Sequence, residues 1–80
     1  MKTGVVVGKV WATKRLSELP SGALLRVRLD DSEEVVIALD PLGCGEGERV
    51  LLSQGQQVAT WTGQARSVLD ALVVASVDTN

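Results

Sequence analysis

Eighty residues with no histidine, one cysteine and a formal net charge of −2 exclude much chemistry at the outset. The usual zinc ligand sets cannot be assembled within one copy, and the chain is 45% apolar, too much for disorder. No cluster of Lys and Arg offers the basic face that nucleic acid needs, and no apolar run approaches the length of a membrane span.

The length predicts one domain, residues 1–80, near the lower end of what folds alone on a hydrophobic core. With Val and Leu prominent and no Phe or Tyr, the core is expected to consist of small aliphatic pieces, and burial by association would help so short a chain. A single cysteine cannot form an internal disulfide, which fits a reducing, cytoplasmic setting.

In chain order, Thr3 to Thr13 reads as a first strand, with Val5 and Val7 on one face and Val6 and Val10 on the other. A strand apolar on both faces is usually covered on both. Lys14 to Gly22 is polar and ends in Pro20-Ser21-Gly22, a loop. Leu25, Val27 and Leu29 alternate with Arg26, Arg28 and Asp30, the cleanest strand pattern in the chain. Asp30-Asp31-Ser32-Glu33 is a turn, with its acidic tip expected in solvent, and Glu34 to Leu39 returns as the hairpin partner.

Between Ala38 and Leu52 lie three of the eight glycines within five residues, one of the two prolines and the only cysteine. This reads as strand, glycine turn, strand. Gly43, Gly45 and Gly47 permit positive φ or close approach of another backbone. A phosphate-binding reading fails on spacing: the third glycine comes one residue early for G-x-G-x-x-G, no helix pattern follows, and Glu46 and Glu48 would repel a phosphate.

Arg49 to Ser53 is a fourth strand. Gln54 to Arg66 is polar and fits a short helix or an ordered loop equally well. Ser67 is placed to cap one turn at Val68-Leu69-Asp70, and Ala71 to Val77 is a last strand, again apolar on both faces. Five strands, a central hairpin and one short helical connection predict a mainly all-β chain folded as a small, partly open β-barrel. The doubly apolar terminal strands predict cover from outside the monomer.

Reactive groups are scarce. Asp40 and Asp70 flank strand ends, where turn or cap roles are commoner than acid catalysis. Cys44 lacks the basic neighbour that a reactive thiolate needs. Neither an enzyme nor a bound cofactor or metal is expected.

Four blocks carry a resemblance: Gly8-Lys9-Val10-Trp11-Ala12-Thr13-Lys14, Leu24-Leu25-Arg26-Val27, Ala38 to Leu51, and Asp70 to Asp78. In order and spacing they resemble the vertex proteins of bacterial microcompartments, the ethanolamine-utilisation and carboxysome vertex family. The strongest block is the glycine loop, similar to that family's Val-Gly-Ala-Gly-x-Gly-Glu followed by Val-Leu. The resemblance implies a five-stranded barrel of oligonucleotide-binding type, assembled as a cyclic homopentamer. Such rings close the corners of a polyhedral shell built mostly of hexameric shell proteins, with no nucleic-acid or membrane partner. It further implies that Gly43, Cys44, Gly45, Glu46, Gly47 and Glu48, with Thr13, Lys14, Gln56 and Gln57, lie at a subunit interface or the axial opening. Glu48 is then expected to bond a neighbouring subunit's backbone or basic group. Cys44 stands where alanine is commoner. Gln56-Gln57-Val58-Ala59 stand where the family tends to Ser-Ser-Ala-Arg. The alternative from a different class is a binding module, a barrel that holds a small ligand or single-stranded nucleic acid through Trp11, Trp61 and Lys14.

Overall fold

A computed structural model describes residues 1–17, 19–55, 58, 61 and 69–78. Five strands are present: β1 Lys2–Val10, β2 Ala23–Leu29, β3 Val35–Asp40, β4 Arg49–Gln54 and β5 Ala71–Ser76. They lie where alternation and turn residues put them, to within a few residues at each end. The predicted short helix and the Ser67 cap fall on residues that lie, for the most part, outside the described ones.

The strands close into a barrel in the order β1-β2-β3-β5-β4, so the partly open sheet expected from the sequence is in fact closed. Closure removes the unpaired edges that would invite aggregation. All neighbours are antiparallel except β3 and β5, which meet in parallel at a single pair, Leu39 and Leu72. That short seam completes the ring.

Alternation decides what faces in. Leu25, Val27 and Leu29 of β2, Val6 of β1, Val50 and Leu52 of β4, and Ala71 and Val73 of β5 fill the interior together with Ala38 and Cys44. On β2 the intervening Arg26 and Arg28 are exposed, as their period of two requires. The first strand departs from simple alternation. Its pairing with β2 slips between Val6 and Gly8, a bulge at Val7 that adds one residue. Val10 therefore pairs with Leu24 on the outer surface, not on the inner face with Val6.

The outer face of β5 is covered by the chain itself. Leu72 and Leu39 are buried against Val58, from the connector between β4 and β5, with Leu24, Leu69 and Val74 around them. For the last strand, then, part of the cover expected from another subunit is intramolecular. The connector is tied at its base by the Gly55 amide, which donates to the Asp70 carbonyl at 2.9 Å.

Among the described glycines, Gly4 is the most closely packed. A Cβ there would lie 2.7 Å from both the Arg28 carbonyl oxygen and Val27 Cγ1, closer than nonbonded atoms tolerate, and the first of these is backbone. Gly4→Ala is expected to destabilise the barrel by about 1–3 kcal/mol, the usual cost of overpacking. A urea titration checks this at one protein concentration, and an unchanged midpoint would mean that β1 and β2 can part without cost.

Candidate functional site

The segment from Asp40 to Glu48 leaves β3, passes the barrel end and enters β4. Its two flanking strands are not neighbours, since β5 lies between them. Nothing in the glycine spacing signals this crossing.

Four consecutive loop amides point at the chain's own carboxylates. Asp40 sits at an inward-facing position paired with Ala23 and is buried. Its Oδ1 accepts from the Leu42 amide at 2.9 Å, and its Oδ2 accepts from Gly43 at 3.1 Å and from Cys44 at 2.6 Å. This is an aspartate turn extended by one residue, with the side chain standing in for a backbone acceptor. The next amide, Gly45, donates to Glu48 Oε1 at 3.0 Å. Successive backbone N–H groups make an anion-binding concavity, and here that concavity is already filled by Asp40 and Glu48. The phosphate reading fails for this reason as well as on spacing.

Two of the three loop glycines are needed for their backbone. Gly43 and Gly47 have φ of +87° and +89°, a region that side chains with a Cβ rarely enter. Gly45 has no such φ, and a Cβ there would meet only Glu48 Oε1 at 3.7 Å. Within one chain nothing requires glycine at that position.

Within its own chain Glu48 already has partners for both carboxylate oxygens. Besides Gly45, it accepts at Oε2 from the Ser76 hydroxyl of β5 at 3.0 Å. The Gly45 amide, chiefly, and the Ser76 hydroxyl hold its carboxyl below the ordinary range. On the backbone, the Gly47 amide donates to the Val6 carbonyl at 2.8 Å and the Val6 amide to the Glu48 carbonyl at 2.9 Å. The loop is thus fastened to β1, β3 and β5 at once.

Cys44 points into the interior core and is buried. Burial, first, and then the nearby Asp40 and Glu48 carboxylates push its thiol up to about 11. At neutral pH it is a protonated, packed side chain and a poor nucleophile.

Of the other predicted residues, Thr13 and Lys14 lie exposed on the segment after β1, and no hydrogen bond or ion pair ties either to the loop among the described residues. Gln56 and Gln57 lie outside the described residues. The structure instead brings Lys9 and Trp11 beside Cys44, Gly45 and Glu46, around a hollow of about 370 Å3 whose floor includes Val6 and Leu25. Trp11 is 84% exposed, with Lys9 Nζ 5.2 Å from its ring centre. Trp61 belongs to a different hollow, lined by Pro41, Leu42, Leu72, Val73 and Val74. The two tryptophans do not form one stacking platform, and Lys14 lines neither hollow.

The acidic hairpin tip is only in part a solvated turn. Asp30 accepts from the Thr3 hydroxyl at 2.7 Å and pairs with Arg49, joining the ends of β1, β2 and β4. Sequence gave no sign of this, because the partners are 27 and 19 residues away.

Fold and loop together define a small closed β-barrel carrying a glycine loop whose amides are satisfied by its own carboxylates, with large apolar side chains left on its outside. The family model described as ethanolamine utilisation protein EutN/carboxysome matches residues 1–78. The shell vertex protein GrpN of Rhodospirillum rubrum (strain F11) is 41% identical over 99% of this chain and 94% of its own length. The shell vertex protein EutN of Salmonella typhimurium is 32% identical over 98% and 84%. Among solved structures, a pentameric shell protein from the RMM microcompartment superposes with a TM-score of 0.89 at 39% identity, covering 99% of this chain and 92% of that one. The chain belongs to the EutN/carboxysome family of microcompartment shell vertex proteins.

Proposed function

We propose that five copies of this chain close into a ring that caps a vertex of a bacterial microcompartment shell, with hexameric shell proteins around it. The whole-chain likeness to a solved pentameric shell protein carries this reading. The role is mechanical: the working object is the ring, and no group of the chain is assigned a reaction. In such a ring each subunit meets its two neighbours through two different patches. We assign one patch to Gly43–Glu48 together with Trp11, with Thr13, Lys14, Gln56 and Gln57 at the same contact or at the axial opening.

Physical chemistry supports association. Trp11, Trp61, Leu42 and Leu16 are each more than half exposed. Large apolar side chains gathered in patches on a small monomer are a usual mark of a contact surface.

Native mass spectrometry and sedimentation test the proposal. The expected particle has five times the 8.5 kDa chain mass at micromolar concentration, and a monomer across several salt conditions would overturn it. Mixing with hexameric shell proteins tests the second half. Closed polyhedra seen by electron microscopy only when the pentamer is present are the expected outcome, and closure without it would remove the vertex role.

A further inference from the structure

The glycine loop is not held evenly. Its first part, Leu42 to Cys44, hangs on the buried Asp40 carboxylate by three amides. Its last part, Gly47 and Glu48, is paired through the backbone to Val6. Between these anchors lies a two-residue tip, Gly45–Glu46. It is held by the Glu48 carboxylate on the Gly45 amide and by the turn bond from the Glu48 amide to the Gly45 carbonyl at 3.1 Å. The tip forms one wall of the hollow that leads to Val6, Leu25 and Cys44, side chains of the barrel interior. It therefore stands beside one opening of the barrel interior.

We infer that Glu48 is a proton-operated latch: charged, it clamps the Gly45–Glu46 tip beside the barrel opening, and protonated, it loosens the tip, which then keeps only its backbone turn bond while both anchors hold.

The charges around Glu48 favour this. Its donors, the Gly45 amide, the Ser76 hydroxyl and, least, the Cys44 thiol, are neutral, and among the described residues no Lys or Arg forms an ion pair with it. Arg49, the next residue, is turned to Asp30. Lys9, on the β1 side, lines the hollow below the tip and approaches the Trp11 ring. Asp78 shares a second hollow with Glu48 beyond the end of β5. Asp40 and Glu46 stand on the loop itself. The acidic neighbours share its sign, so protonating Glu48 relieves repulsion as it weakens its hydrogen bonds by removing their charge.

The carboxyl is held below its ordinary value of 4.5, so the clamp is present above that value and is lost as pH falls through the lowered one. The latch is shut at neutral pH and opens in acid. Asp40 is distinguished by geometry: it is buried and holds three donors, whereas the Glu48 bonds are exposed in the single chain and sit at the contact assigned above in the ring.

Amide exchange measured by NMR on the whole chain tests the inference, with rates corrected for the intrinsic effect of pH. Between pH 7 and 3 the Gly45 amide is expected to lose protection with a midpoint below 4.5. In Glu48→Ala, which leaves no side-chain acceptor, Gly45 should exchange about tenfold faster than in the wild type already at pH 7, with no further step on acidification, while Leu42, Gly43 and Cys44 keep their protection. Equal Gly45 exchange in variant and wild type would overturn the latch. So would simultaneous loss of protection at all four amides. Should the wild type unfold before the step, the neutral-pH comparison decides. Should Glu48→Ala fail to fold, Ser76→Ala removes one clamp donor and is expected to move the Gly45 midpoint upward; an unmoved midpoint overturns the latch equally. A mass measured on the same samples separates tip release within an assembly from loss of the assembly, so failure here leaves the ring proposal standing.

Discussion

Asp40→Ala is expected to cost about 3–5 kcal/mol of folding stability, because it removes a buried acceptor that holds three loop amides, the Cys44 bond buried and the Leu42 and Gly43 bonds partly so. Each buried donor left without a partner costs roughly 1–3 kcal/mol, less whatever water recovers at the loop's exposed side. Small domains have only about 5–15 kcal/mol in total, so the loss is a large fraction of the whole. For a chain of this size it corresponds to a fall in melting temperature of about 15 °C or more. Asp40→Asn keeps one acceptor oxygen and should fall between wild type and alanine. All three proteins must be compared at one protomer concentration, since any assembly adds stability by mass action. An alanine variant within about 1 kcal/mol of wild type would show that the loop finds other acceptors, and the account of Asp40 as its anchor would go.

Trp11→Ala should leave the barrel folded and take the ring apart. The ring of Trp11 lies outside the core and is 84% exposed in the single chain, so its removal opens no cavity and the circular dichroism of the strands should be unchanged. At a subunit contact the same side chain becomes a large buried anchor. Truncating such an anchor typically costs 2 kcal/mol or more, about a thirtyfold weakening at every contact of the ring. Because a pentamer contains the contact once per subunit, the effect is repeated around the circle. At a micromolar concentration where wild type is pentameric, the variant is expected as monomer, with rings regained on concentration. A variant that stays pentameric on dilution would move the interface away from the Lys9–Trp11 hollow. The groove beside Trp61, Pro41 and Leu42 would then be the next patch to test.

Much of this was legible residue by residue. Leu25, Val27 and Leu29 could be read as one inward face because a strand's side chains alternate whatever its neighbours are. Asp40 before Pro41-Leu42-Gly43 could be read as a turn residue because an aspartate reaches its own backbone two and three positions on. Cys44 could be read as inert because its loop holds no cation. These are local effects, carried by bonds and side chains a few residues apart. The slip at Val7 was not legible: a bulge shows only against the partner strand, and it moved Val10 to the opposite face from the one simple alternation assigns. Glu48 was legible as a hydrogen-bonding carboxylate but not as a partner of Ser76, which lies 28 residues further on.

From composition and periodicity alone came five strands, an aliphatic interior, a turn-forming glycine segment and the scarcity of reactive groups, and the four motif blocks pointed to the family. Tertiary structure alone decided which strands are neighbours, that the barrel closes through the single Leu39–Leu72 pair, that Val58 covers the back of β5, and that the loop's amides are spent on Asp40 and Glu48. The division has one physical cause. Alternation and turn chemistry act over a few bonds of the chain. Pairing order and the fate of a buried donor depend on groups that come together only when distant segments pack.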